Sequence, residues 1–397
     1  MTAGPARVLF VVSSLEHGGA ERQVVELARG LDPARFEAFV CSLSHDVPLA
    51  SGLPDRSRLV VVPKRFRFDA TTVPRVARLM RRLGTDLVHA FLFDAEIVAR
   101  AAARLARVRV VVASERNSDY RRPLVQRAAL RLTRPWVSAL VANSEAGRRF
   151  SIRTQGLPAE KVHVVHNGVD VERFRPGDAA EARRSLGLEA GAPVIGMVAS
   201  FKPQKNHLMF LEAARRVLAA RPEAMFLCAG EPLRGAGGPF SLRSGTGAHR
   251  GVAAYHREVS RALQQGELAG RCRLLGRVED VERVYRACDL TVLTSRHEGT
   301  PNVVLESMAC GVPVVVTDVA DNAMVVPEGV AGAVVPEGDA AAMAARVLGL
   351  LADERGRREM GQAARRHVME RFSTAAMARQ TEALYERLLD RGRLGHR

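Results

Sequence analysis

Long apolar runs are missing from this chain. No stretch of about 18 apolar residues occurs, so no membrane-spanning helix is expected. The N-terminal run "VLFVVSS" is too short for a secretory leader and passes at once into a polar loop. Cysteine is scarce. Cys41, Cys228, Cys272, Cys288 and Cys310 are scattered, mostly in apolar segments, with no Cys-x-x-Cys pair. This argues against a disulfide framework or a zinc site and for reduced thiols in a cytoplasmic protein. Aromatic residues make up 5% of the chain, few for a base-stacking surface. With no groove-reading helix apparent, nucleic acid is not an expected partner. No G-x-G-x-x-G is present, which weakens a nicotinamide or flavin reading. No G-x-S-x-G and no Ser-His-Asp or Cys-His arrangement stands out. The nearest acidic clusters, "FLFDAE" and "VTDVADN", lack convincing metal-ligand spacing.

Acid is also in short supply. Lys and Arg number 59 against 43 Asp and Glu, a formal net charge of +16. Such a balance suits an anionic partner: a nucleic acid, a membrane face or a phosphorylated ligand. Charge alone does not choose among them.

What is present is alternation. Short β-branched runs ("RVLFVVS", "FEAFVCSL", "RLVVV", "DLVHAF", "VRVVVAS", "VSALVAN", "VHVVHNG") are separated by helical patterns. The second half repeats the plan with "PVIGMVAS", "AMFLCAG", "CRLLG", "DLTVLTS", "VPVVVTD" and "AGAVVP". This predicts βαβ units and parallel sheets covered on both faces. A strand-free stretch with Pro176, Gly177 and Gly191 marks a boundary near residues 170–190. The fold class is α/β, with two Rossmann-like, doubly wound parallel-sheet domains facing a cleft. The expected division is 1–172, 173–372 and a C-terminal helix, 373–397, packing back toward the first domain. Residues 231–251 form a Gly-rich insert read as a flexible loop, with a lid over the cleft as the functional alternative.

In such sheets ligands bind beyond the carboxyl ends of strands, so the informative loops follow strands. "HEGTPNVVLE" follows "DLTVLTS". There Thr300 is expected to N-cap a helix, with Pro301 at its first position. The first-turn N–H groups from Asn302 onward then attract phosphate. Glu306 falls about one and a half turns inside, among Val303, Val304, Leu305 and Met308. A buried carboxylate there needs hydrogen-bond donors, and a ribose diol offers two. Glu298, in the loop, faces hydroxyls of a second sugar beyond the phosphates. The loop "SFKPQKNH" brings Lys202 and Lys205 as point charges for a diphosphate. In "SSLEHGGAERQ", Gly18 and Gly19 permit close backbone approach. His89 is read at the end of its strand, facing substrate. Arg116, Asn117, Asn143 and Ser144 follow strands and are further cleft candidates.

These residues resemble a known family. The chain looks like a retaining glycosyltransferase of the two-domain GT-B architecture, in family 4. The most specific match is Glu-x7-Glu, Glu298 to Glu306, in "SRHEGTPNVVLESMACGVPVV"; "RCRLLGRVEDVERVYRACDLTVLTS", "VASFKPQKNH", "VHNGVDVERFRP" and "GGAERQ" follow the family's order. The resemblance implies that Glu306 binds the donor ribose and Glu298 the sugar hydroxyls. It places Lys205 on the leaving diphosphate, Gly19 near donor phosphate or acceptor, and His89 near the transferred sugar. Ser200, Lys202, Gly299, Thr300, Asn302 and Val303 complete the implied donor set. Gly18, His89, Arg116 and Asn117 are the acceptor candidates. The family needs no metal, and no cofactor is expected beyond the nucleoside-diphosphate sugar itself. Expected partners are that nucleotide sugar, a glycan or polyprenyl-linked acceptor of cell-surface polysaccharide synthesis, and the anionic inner face of the cell membrane. Two departures stand out. Ser200 replaces an arginine that the family often has, and Met324 stands where an acid often follows "VPVVVTD". A sugar phosphorylase or a nucleotide-sugar epimerase is the alternative on the same fold.

Overall fold

A computed structural model describes residues 4–66, 69–116, 122–189, 191–230 and 247–394. The Gly-rich insert therefore lies largely outside the described residues, as does Asn117. The chain divides into two compact units. The first takes Met1–Gly168 and Thr374–Arg397; the second begins at Val169 and ends at Ser373.

The first unit holds a seven-stranded sheet of β1 (Ala6–Val12), β2 (Phe36–Ser42), β3 (Leu59–Val61), β4 (Leu87–Phe91), β5 (Val110–Glu115), β6 (Ala139–Ala142) and β7 (Val162–Val164). Their order is β3-β2-β1-β4-β5-β6-β7, and every pairing is parallel. The helices in the connections are α1 (Gly19–Gly30), α2 (Thr72–Leu83), α3 (Phe93–Ala106), α4 (Leu124–Thr133) and α5 (Glu145–Gln155). The β1 sequence is apolar from Val8 to Val12 because both faces are covered, and those five residues are all buried. One core cluster packs Phe10, Val24 and Leu27 on one face; another packs Leu9, Val76 and Ala99 on the opposite face.

The second unit repeats the plan with six strands. In chain order come α6 (Ala179–Ser185), β8 (Val194–Val198), α7 (His207–Ala220), β9 (Met225–Ala229), α8 (Gly247–Leu263), β10 (Cys272–Gly276), α9 (Val281–Ala287) and β11 (Leu290–Leu293). There follow α10 (Asn302–Ala309), β12 (Val314–Thr317), α11 (Asn322–Val325), β13 (Gly332–Val335), α12 (Ala340–Ala352) and α13 (Glu354–Arg371). The sheet order is β10-β9-β8-β11-β12-β13, again parallel throughout.

The last helix, α14 (Thr374–Leu394), belongs to the first unit. Its Glu382 accepts from the backbone N–H of Asp32 at 2.7 Å and from Arg35 at 2.8 Å. Thr374 Oγ1 donates to Glu26 at 2.8 Å. Gln23, three residues before Glu26 on α1, exchanges two hydrogen bonds with the backbone of Gly168, at 2.8 and 2.9 Å. A Cβ on Gly168 would lie 2.9 Å from the Thr374 backbone, so glycine is required there. One face of α1 thus holds both points at which the chain passes between the units.

Candidate functional site

In a doubly wound sheet the connections reverse direction at one place, and the loops on either side of it diverge to leave a crevice. In the second unit that place lies between β8 and β11. The loops leaving these strands are Ser200–Asn206 and Thr294–Pro301, the two that carry the candidate lysines and Glu298.

The loops are stitched together. Arg296 N–H donates to the Gln204 carbonyl at 2.9 Å, and Gln204 Nε2 donates to the His297 carbonyl at 2.6 Å. Thr294 Oγ1 lies 2.9 Å from both the Lys205 and Asn206 carbonyls. Asn206 holds φ 50, a left-handed conformation that asparagine tolerates better than most side chains. This turn ends the short 3-10 helix Pro203–Lys205 and starts α7. Lys205 Nζ then forms an ion pair with Glu298 Oε1, which also accepts from Ser295 Oγ at 2.6 Å. Glu298 is buried and Lys205 nearly so. The sequence reading had Glu298 facing neutral hydroxyls and Lys205 facing phosphate. In the structure they face each other, because the stitched loops bring an ammonium and a carboxylate into a poorly hydrated pocket where opposite charges attract strongly.

α10 begins at Asn302, with Pro301 in extended conformation at its N-cap and no side chain capping it. The expected start, Thr300 as cap and Pro301 inside, is therefore shifted by one residue. Pro301 instead supplies the carbonyl to which Val304 and Leu305 donate. Gly299 and Thr300 are buried beside this helix start, with Asn302 and Val303 partly exposed in its first turn. Glu306 is buried, and Tyr285 O–H donates to its Oε2 at 2.7 Å. Sequence reasoning missed Tyr285, which lies on α9 in the otherwise ordinary amphipathic stretch "VERVYRA". Ser307, next to Glu306, bonds Thr291 of β11 at 2.7 Å, anchoring α10 to the sheet. Ser200 and Lys202 lie on the β8 loop, partly exposed. Met324 stands exposed on α11.

In the first unit the reversal lies between β1 and β4. The loop after β1 carries Gly18, the N-cap of α1, and Gly19, its first residue. Both are accessible in part. A Cβ on Gly18 would fall 1.9 Å from Glu21 Oε2, so the bare backbone accommodates the chain's own carboxylate.

His89 requires a correction. It sits in the middle of β4, not at its end, and is fully buried. Its Nδ1 lies 2.5 Å from Tyr385 Oη of α14 and its Nε2 2.7 Å from Ser114 Oγ. Burial holds its pKa well below the ordinary histidine value, and the nearby Arg116 pushes the same way. With both ring nitrogens occupied inside the sheet, His89 is a neutral structural group and is not presented to substrate. Arg116 joins the same node. It donates to Asn167 at 3.1 Å and to Ser114 at 3.3 Å, with its guanidinium 4.7 Å above the Phe91 ring. Lost hydration lowers its pKa to about 10. Asn143 approaches the same Asn167 oxygen at 3.4 Å, and Ser144 caps α5 by accepting from Gly147 N–H. The structure thus brings His89, Arg116 and Asn143 together as a polar core. Among the described residues, no group of three or more His, Cys, Asp or Glu side chains is gathered for a metal, and no helix is long and apolar enough to cross a membrane.

Two doubly wound α/β units, the second carrying its lysine and Glu-x7-Glu loops on either side of the reversal point, define a glycosyltransferase of the GT-B architecture. The chain belongs to the group 1 enzymes, family 4. The model of "Glycosyl transferases group 1" matches residues 192–353, and that of "Glycosyltransferase Family 4" matches residues 17–173. A D-inositol 3-phosphate glycosyltransferase of Thermobispora bispora is 35% identical over 256 residues, 64% of this chain and 56% of that protein. The chain therefore spans little more than half the length of that relative. A UDP-Gal:alpha-D-GlcNAc-diphosphoundecaprenol alpha-1,3-galactosyltransferase of Escherichia coli is 27% identical over 294 residues, 69% of this chain and 70% of that protein. Among solved structures, Anabaena HepE in complex with UDP superimposes with a TM-score of 0.81 at 23% identity, covering 96% of this chain and 99% of that one. A Rickettsia africae glycosyltransferase gives 0.81 at 17% identity, covering 97% and 99%.

Proposed function

We propose that the protein moves a sugar from a nucleoside-diphosphate sugar to an acceptor hydroxyl with retention at the anomeric carbon. The observation that carries this reading is the Lys205–Glu298 ion pair at the reversal point of the second sheet, beside the start of α10. A diphosphate offers Lys205 a stronger anionic partner than one carboxylate. On its arrival Lys205 turns to the phosphates, and Glu298 is released to accept from hydroxyls of the donor sugar. Lys202, Ser200, Gly299, Thr300 and the first-turn residues Asn302 and Val303 of α10 surround the diphosphate. Glu306, with one oxygen steadied by Tyr285, accepts from the ribose.

As the C1–O bond to the diphosphate breaks, charge grows on the leaving oxygen. Lys205, Lys202 and the helix N-terminus stabilise it, an effect worth several kcal/mol when the donors are held in place beforehand. The acceptor oxygen bonds C1 from the same side, and a diphosphate oxygen takes its proton. The step uses no metal and no cofactor. The acceptor is a glycan or a polyprenyl-diphosphate-linked intermediate of surface polysaccharide synthesis, supported by the diphosphoundecaprenol in the name of the E. coli relative. It is met at the anionic inner face of the cell membrane.

The test is a thermal-shift panel of UDP-, GDP- and ADP-sugars, followed by hydrolysis and transfer assays on any sugar that shifts the melt. Absence of hydrolysis and transfer, together with unchanged binding by Glu306→Ala, overturns the proposal.

A further inference from the structure

An amphipathic helix on a soluble domain normally turns its apolar stripe inward. Helix α4 does the reverse. Leu124, Val125 and Leu132 are 76%, 80% and 79% exposed. Ala128 lies between them on the same exposed side, and Pro135 and Trp136 continue the line beyond the helix end. The spacing i, i+1, i+4, i+8, i+11, i+12 is helical, so these residues form one outward stripe.

The inward side of α4 is fixed by polar bonds. Fully buried Arg100 donates to the Leu130 carbonyl at 3.0 Å and to Thr133 Oγ1 at 2.8 Å. It is itself held by Glu96 and by Gln155, the latter at 3.0 Å. Rotating α4 to bury the stripe would leave this guanidinium without those partners, at a cost that forbids it.

The surroundings of the stripe are basic. From Arg122 to Ser144 the sequence contains four arginines and no Asp or Glu. Arg122 is neutralised by Glu115. Arg131 and Arg134 bond carbonyls near the end of α5, so among the described residues their charge stands uncompensated. An open cavity of about 500 Å³ adjoins Leu124 at one end of the stripe, lined by Arg127, Arg153 and Phe150. Arg127 Nε is buried there with no hydrogen-bond partner.

We propose that this face docks on an anionic phospholipid bilayer, with the stripe entering the acyl boundary and the Arg127–Arg153 cavity taking a lipid phosphate. Aliphatic side chains ringed by arginine, with tryptophan at the margin and no carboxylate in the segment, match the layered chemistry of a headgroup region. The inference rests on the proposed membrane-linked acceptor and names the surface that reaches it.

The experiment uses the full chain with vesicles of phosphatidylcholine alone or mixed with phosphatidylglycerol, at two salt concentrations. Trp136 is the only tryptophan in the chain, so its emission reports insertion directly. A blue shift and co-sedimentation with the phosphatidylglycerol vesicles, weakened by salt, are expected. Combined Leu124→Ser, Val125→Ser and Leu132→Ser should reduce binding at least about tenfold, as loss of buried aliphatic groups requires. Combined Arg127→Gln and Arg153→Gln should remove the preference for phosphatidylglycerol. The thermal shift given by UDP should be unchanged in all variants, which also confirms that they are folded. Wild-type protein that ignores both vesicles, or serine variants that bind as well as wild type, overturns the proposal. So does a wild-type dimer in light scattering that the serine variants convert to monomer, since a second copy would then cover the face. Sugar transfer without vesicle binding sinks this inference and leaves the enzyme reading standing; vesicle binding without transfer does the opposite.

Discussion

The two units share a topology and use their reversal points differently. In the second, charged side chains stand on loops beyond the strands: Lys205 and Glu298 pair across two stitched turns, and Glu306 lies just inside the helix that follows. In the first, the polar groups are drawn down among the strands. His89, Ser114 and Arg116 form a node closed by Tyr385 from α14. A lysine whose partner is a single carboxylate exchanges it readily for a more highly charged anion. A neutral histidine bonded on both sides inside a sheet exchanges nothing without unfolding its surroundings. Similar polar residues thus stand beyond the strands in one unit, where we propose that they meet ligand, and hold the last helix in the other.

The sharpest break of this comparison is Lys205→Ala. Loss of one preorganised donor to a leaving group costs about 10²–10³ in rate, so kcat for transfer should fall by that much. The melt should fall too, because Glu298 is left buried without its cation. Adding Glu298→Gln removes that penalty: a double variant that melts like wild type and stays inactive assigns the lysine to the leaving group, and one that regains activity makes the ion pair structural, like the node in the first unit.

Acid pH should act on both units through stability. Burial lowers the pKa of His207, packed at the start of α7 in the second unit, to about 4, and holds His89 well below its usual value. The folded protein thus prefers both rings neutral, while the unfolded chain takes up protons near pH 6.5. The contribution is fully present above about pH 6.5 and is lost as pH falls toward 4. His207 alone accounts for roughly 3 kcal/mol over that range. Denaturant melts at pH 7 and pH 5 should show the loss, and His207→Phe should reduce it, with the share of His89 remaining. A pH-independent midpoint would contradict the buried neutral state.

Tyr385→Phe should lower unfolding free energy by about 1–3 kcal/mol by stranding His89 Nδ1, with kcat unchanged once the protein is folded. A selective loss of kcat would return His89 to the chemistry. Tyr285→Phe leaves Glu306 with one donor fewer. It should weaken nucleotide binding by roughly a factor of 5–10, the net worth of about one ordinary hydrogen bond, as read by titration calorimetry with UDP.

The strands were legible because each is a short β-branched run covered on both faces, and every expected run became a strand. β1 shows why: five consecutive buried residues cannot alternate apolar with polar. The loops of the candidate site were legible for a related reason. Glycine, proline and polar residues between a strand and a helix mark the turn that ends the one and starts the other. What could not be read was pairing. Lys205 and Glu298 are 93 residues apart and His89 and Tyr385 are 296 apart. His89 in "DLVHAF" looks the same whether it ends the strand or lies inside it.

Sequence by itself determined two parallel-sheet units, the strand-following loops and their acids and lysines, since local periodicity and turn chemistry are properties of neighbouring residues. Only the tertiary structure decided which charges meet, that His89 turns inward to Tyr385, and that α4 shows its apolar side to solvent. Those outcomes depend on partners distant in the chain, and on the need of buried polar groups such as the His89 ring and the terminal nitrogens of Arg100 to find hydrogen bonds.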